Sequence, residues 1–128
     1  MTELLNFDKK DGLITAVVQD ASSQRVLMVG YMNREAFDTT VTTGHVTFFS
    51  RSRQKLWTKG ETSGHFLELK SIQTDCDGDA LLIFAEAAGP GVCHNGYRSC
   101  FYRTLQNREW VETDPKVYDS DAVYGAKQ

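Results

Sequence analysis

Apolar positions along the chain fall in short runs, separated by polar breaks that carry glycine, serine or aspartate. Leu13 to Val18 is β-rich, with Gly12 before it and the turn-like Asp20-Ala21-Ser22-Ser23 after it, and it predicts a strand. Val26 to Met32 predicts a second strand, and the segment Gln19 to Arg25 is short enough to join the two as a hairpin. The period then changes. Ala36, Phe37, Thr40 and Val41 recur at helical spacing, so a helix is predicted from Arg34 to Thr43. Asn33 is a suitable N-cap, Glu35 suits the positive end of the helix dipole, and Gly44 is a stop.

Beyond the helix the strand pattern returns. His45 to Ser50 predicts a third strand, and Phe66 to Ile72 alternates apolar and polar positions as a fourth. Asp79 to Ala85 predicts a largely apolar strand that Gly89-Pro90-Gly91 closes off, and Tyr97 to Tyr102 predicts the last. Between the third and fourth strands lie the basic segment Arg51-Ser52-Arg53-Gln54-Lys55 and the stretch Leu56 to Gly64. Two glycines there, Gly60 and Gly64, flank hydroxyls and predict a loop where a ligand can approach backbone N–H groups. Residues 114–128 are polar apart from Val117, Tyr118, Val123 and Tyr124, and predict a loosely held tail with about one helical turn. About seven strands and one clear helix predict a mainly β or α+β class: a single compact domain on a folded mixed sheet over residues 1–113, followed by the tail 114–128.

Composition narrows the function classes. A chain of 128 residues, 41% hydrophobic and 24% charged, is ordinary for a globular domain. A net charge of −3 argues against a general nucleic-acid binder. No apolar run reaches the ~20 residues of a membrane span, and the N-terminus lacks a secretory signal pattern, so a cytoplasmic protein is expected. Three cysteines, an odd number, suit a metal site better than a disulfide framework.

All three cysteines fall between Thr74 and Arg103, and so do Asp75, Asp77 and Asp79. Oxygen ligands suit hard cations and thiolates suit zinc, so the expectation is a site with two different metals. In an extended chain the three carboxylates share one face and Cys76 points to the other. The plainer reading is a solvated acidic turn. A calcium loop would put Glu86 at its twelfth position, but Ala80 stands where that loop needs glycine, and Leu81 to Phe84 reads as strand. Cys93 and Cys100 do not form a C-x-x-C knuckle, and buried structural cysteine is the alternative. Their neighbours Gly89-Pro90-Gly91 and His94-Asn95-Gly96 form polar loops, however. Three thiolates leave zinc an open position, the mark of a catalytic site, with His94 beside it as general acid–base or as a fourth ligand.

These blocks in order resemble the phosphoribosyl-AMP cyclohydrolase family of histidine biosynthesis. The resemblance runs from about Asp11 to Arg103. It is carried by Ala16-Val17-Val18-Gln19-Asp20, Tyr31-Met32-Asn33, Ser50-Arg51-Ser52-Arg53, the stretch Leu56 to Gly64, Asp75 to Leu82, and Cys93-His94 through Ser99-Cys100-Phe101-Tyr102-Arg103. His65 departs from it, standing where asparagine is frequent. The resemblance implies hydrolytic opening of the adenine ring of N1-(5-phosphoribosyl)-AMP between N1 and C6. It implies zinc on Cys76, Cys93 and Cys100, magnesium on Asp75, Asp77 and Asp79, and an intertwined homodimer in which Cys76 comes from the other subunit. For a nucleotide with two phosphates, Arg51, Ser52, Arg53, Lys59, Gly60, Ser63 and Gly64 offer donors, Trp57 a stacking face, and His94 the proton shuttle. A solvated strand end for the arginines, and core packing for Trp57, are the alternatives. Two other classes stand beside the enzyme: a non-catalytic zinc- and calcium-binding module, and a nucleic-acid-binding domain.

Overall fold

Period-two alternation builds the main sheet. In β1 (Ile14–Asp20), Ile14, Ala16 and Val18 are buried, and in β6 (Ala80–Ala87) Leu81, Ile83 and Ala85 are buried. The computed structural model describes residues 1–124 of the chain. β1 and β6 lie parallel, with Ala16 opposite Leu81 and Val18 opposite Ile83. β2 (Val26–Met32) pairs antiparallel with β1, and β5 (Leu67–Thr74) antiparallel with β6. The order β2-β1-β6-β5 is a mixed sheet, as predicted. Its buried face packs against α1 (Arg34–Thr43) and the small sheet of β3 (Thr47–Ser50) and β4 (Lys55–Thr58).

The helix ends where local chemistry says it should. The Asn33 side chain accepts from Ala36 N at 2.8 Å. Gly44 takes the left-handed conformation, and its N–H donates to Thr40 O. The fully buried Thr40 hydroxyl donates to Ala36 O at 2.9 Å and accepts from Thr47 N at 2.9 Å, joining helix to β3. A buried hydroxyl left unpaired would cost about 1–3 kcal/mol, so these two bonds decide where the helix sits.

Three predicted elements differ. Lys55–Thr58 is a strand rather than the start of a loop, paired residue for residue with β3. Tyr97 to Tyr102 is not a strand. Five residues of strand span about 16 Å, yet the Tyr97 and Tyr102 rings stack with centroids 3.6 Å apart. The chain bends between them because Ser99 turns inward, its hydroxyl donating to Val26 O, while Cys100 N donates to Leu27 O. Beyond it stand two strands missing from the prediction, β7 (Arg103–Gln106) and β8 (Glu109–Glu112), a hairpin turned by Asn107 and Arg108 at positive φ. Pro115 to Tyr124, expected as loosely held, hydrogen-bonds back onto Gly96 and ends in the short helix α2 (Ser120–Tyr124). No helix among the described residues is long and apolar enough to cross a membrane.

Candidate functional site

A cavity of about 410 Å³ lies over β4 and the loop that follows it. The loop turns tightly: Glu61 N donates to Thr58 O, and Gly64 N to Gly60 O at 2.7 Å. Gly60 sits at φ 96°, and a Cβ there would come within 2.5 Å of the Phe66 amide nitrogen, so only glycine lets the returning chain close in. Lys59 N is tied to Val46 O. Arg53, Trp57, Lys59, Gly60, Ser63 and His94 all line this cavity. Trp57 also packs its ring on Phe48, at 5.0 Å, as the core-packing alternative expects. Lys59 is only 9% exposed. A lysine that lines a polar cavity is able to donate to an anion there.

Arg51, Ser52 and Gly64 do not line that cavity. The Arg51 guanidinium lies over the Tyr31 ring at 4.3 Å and faces a second, larger cavity with Lys9, Lys10, Asn33 and Gln54. Ser52 lines a shallow depression with Gly30, Tyr31 and Phe48. Period-two alternation does not apply here, because residues 51–54 form the turn between β3 and β4 rather than a strand end.

Cys93 is 3% exposed and lies in a tight turn in which its N–H donates to Tyr97 O and its carbonyl accepts from Gly96 N. Cys100 lies beside it. Burial of the Cys100 thiol, then the neighbouring Cys93, push its pKa up to about 11, against the pull of the nearby Lys59 ammonium. Two neighbouring cysteine sulfurs are soft donors, and a bound soft cation would deprotonate them. The donor set therefore fits a soft divalent ion. Cys76 is exposed and belongs to no ligand cluster with Cys93 and Cys100 among the described residues of one chain.

The aspartates follow the acidic-turn reading of the sequence and not the extended-chain one. β5 ends at Thr74 and β6 begins at Ala80, so residues 75–79 are a turn and not extended chain. Asp75 Oδ1 accepts from Asp79 N at 3.1 Å and Ala80 N at 3.3 Å. Partial desolvation raises the Asp75 pKa, but the backbone donors outweigh it and hold the carboxyl below its usual range. Asp75, Asp77 and Asp79 each offer an oxygen within 4.8 Å of the others, a set that fits a hard divalent cation. Lys9 Nζ lies 3.3 Å from Asp79 Oδ2, and the Asp79 hydrogen bond and the acidic cluster raise its pKa.

The sequence reading passed over Lys55, Glu61, Thr62 and Tyr124, which also line the first cavity. The basic run ending at Lys55 was the one available signal. Tyr118 was passed over too. Its hydroxyl donates to Cys93 O at 2.5 Å, and burial, then the adjacent Tyr124, push its pKa up.

Comparison with known proteins gives the family. The profile of the family described as phosphoribosyl-AMP cyclohydrolase matches residues 28–102. The phosphoribosyl-AMP cyclohydrolase of Solibacter usitatus (strain Ellin6076) is 63% identical, over 96% of this chain and 98% of the relative. That of Methanosarcina barkeri (strain Fusaro / DSM 804) is 53% identical, over 97% of this chain and 95% of the relative. The histidine biosynthesis bifunctional protein of Salmonella typhimurium (strain LT2) is 50% identical, over 96% of this chain but 63% of that longer protein. A match on this scale, across both the cavity wall and the cysteine turn, places the chain in the phosphoribosyl-AMP cyclohydrolase family of enzymes.

Proposed function

We propose that the protein hydrolyses N1-(5-phosphoribosyl)-AMP in histidine biosynthesis, opening the adenine ring between N1 and C6 to give the phosphoribosyl-formimino-aminoimidazole-carboxamide ribotide. The observation that carries this reading is the convergence of Arg53, Lys59, Trp57 and His94 on one cavity, with His94 next to Cys93 in the chain and Lys59 near enough to the Cys100 thiol to act on its charge. The substituent on N1 makes the ring cationic and C6 electrophilic. Water adds at C6, and the adduct collapses by breaking C6–N1, with the electron pair passing to N1. His94 takes a proton from the attacking water and returns one to the departing nitrogen. Lys59 and Arg53 hold a phosphate through charge-assisted bonds, and the Trp57 face holds the purine.

Cys76, Cys93 and Cys100 would hold zinc, which would supply a Lewis acid that brings the ionisation of water near neutral pH. Asp75, Asp77 and Asp79 would hold magnesium, which would supply a divalent charge for the substrate's phosphates.

The cysteine set implies a homodimer. Cys76 stands in the acidic turn, apart from the other two, and a zinc–sulfur bond of ~2.3 Å requires all three sulfurs at one point. A second chain that donates Cys76 reciprocally resolves this. The β7–β8 hairpin supports it: all eight strand residues are exposed, with Trp110 at 70% and Leu105 opposite it. A lone two-stranded hairpin is marginal in water, and burying one large apolar side chain returns about 1.5–3 kcal/mol.

The test follows ring opening of N1-(5-phosphoribosyl)-AMP by absorbance, with and without a chelator. Turnover should vanish with the chelator and return on adding zinc. A zinc-loaded protein that leaves the nucleotide intact would overturn the reading.

A further inference from the structure

Cys93 and His94 sit in a turn that follows the buried Val92. Its own bonds are Cys93 N to Tyr97 O and Gly96 N to Cys93 O, both 3.0 Å. The C-terminal segment lies over this turn as a strap. Val117 N donates to Gly96 O at 2.8 Å, and Tyr97 bridges to Lys116. The fit leaves no room: a Cβ on Gly91 would stand 2.9 Å from Val117 Cγ2, and one on Gly96 2.6 Å from Tyr118 O.

Tyr118 is the point where strap and site meet. Its hydroxyl donates to Cys93 O at 2.5 Å, so that carbonyl accepts both the local Gly96 bond and this distant one. Its ring stands edge-on to His65, centroids 5.1 Å apart at 88°. His65 directly follows the Gly60–Gly64 loop and is tied to it by its N–H on Ser63 Oγ at 3.1 Å. One side chain thus touches both the cysteine turn and the base of the glycine loop. Farther along the strap, Tyr124 reaches the cavity beside His94.

We propose that Tyr118 is a positioning residue for the reaction: by holding the Cys93 carbonyl it fixes the Cys93 sulfur and the His94 side chain relative to the cavity, which makes the strap 116–124 part of the site. This rests on the cyclohydrolase reading above. The physical need is precision. Neither a ligand sulfur nor a proton shuttle works from a turn free to shift by an ångström, and outer partners that remove this freedom typically matter 10–100-fold in metal affinity or activity.

The experiment compares the full-length zinc-loaded protein with Tyr118→Phe, which keeps the ring on His65 and removes only the donor. It measures kcat and KM for N1-(5-phosphoribosyl)-AMP, and zinc affinity by chelator competition. Expected are losses of about tenfold in kcat and in zinc affinity, with KM within about twofold. A residue that merely stabilised the fold would lower the melting temperature and leave zinc affinity in the folded protein unchanged. Tyr118→Ala, which also removes the ring from His65, should raise KM as the glycine loop loosens. Wild-type kcat and zinc affinity in Tyr118→Phe, or a loss confined to KM, would overturn the proposal alone. Wild-type protein that neither holds zinc nor turns over the nucleotide would overturn the cyclohydrolase reading, and this inference with it.

Discussion

The acidic turn and the cysteine turn are both rich in metal-binding side chains, but they are built on different principles. Asp75, Asp77 and Asp79 are gathered by five consecutive residues, and the backbone N–H groups of the same turn orient Asp75. One chain completes that cluster. Cys93 and Cys100 are brought together by a bent segment, stitched to β2 at Ser99 and Cys100 and capped by the distant Tyr118. The remaining cysteine, Cys76, lies elsewhere in the chain. A local turn can assemble a site at small entropic cost, whereas a site drawn from distant segments needs the whole fold and, on the reading above, a second copy. That difference predicts which site depends on assembly: the cysteine site should require the dimer and the acidic site should not.

The sharpest way to break this comparison mixes two defective chains. Cys76→Ser and Cys93→Ser should each lose activity by more than about a hundredfold, beyond the usual cost of an outer partner. After subunit exchange, about half the dimers should be mixed, each with one site carrying both lesions and one intact. Activity should return to roughly a quarter of wild type. No recovery despite proven exchange would put all three thiols in one chain and remove the contrast.

A smaller effect is expected from Asp77→Asn. Losing one carboxylate charge should weaken magnesium binding by roughly tenfold while zinc stays in place, as equilibrium dialysis with both ions can show. Loss of zinc with unchanged magnesium affinity would mean that the two turns had been given each other's ions.

The smallest effect tests how local the acidic turn is. Gly78 sits at φ 69°, and a Cβ there would overlap the Leu4 carbonyl oxygen, while Asn6 N donates to Gly78 O at 2.6 Å. Gly78→Ala should therefore cost about 1 kcal/mol or somewhat more, a fall of about 3 °C or more in melting temperature, with zinc affinity unchanged. An unchanged melting curve would show that the N-terminal segment does not brace this turn.

Legibility in the sequence followed the range of the forces involved. α1 could be read to the residue because Asn33 and Gly44 act on backbone groups three or four positions away. β2 could be read because both its ends coincide with polar breaks. Tyr97 to Tyr102 was misread because its aromatic spacing mimics a strand, while the bend is set by Ser99 reaching β2, some seventy residues earlier in the chain. The β7–β8 hairpin went unseen because Asn107-Arg108 is a weaker turn signal than Asn-Gly, and Trp110 gives no sign in one chain of what it packs against.

The sequence by itself determined the elements with local caps, the chemistry of the donor sets, and through its ordered motifs the family, because these depend on residue type and short spacing. Only the tertiary structure decided that Arg51 and Arg53 face different cavities, that Lys59 is buried beside the cysteines, and that Tyr118 holds the Cys93 carbonyl. Those facts depend on which segments, far apart in the chain, share one small volume, and close packing of the whole molecule is what settles that.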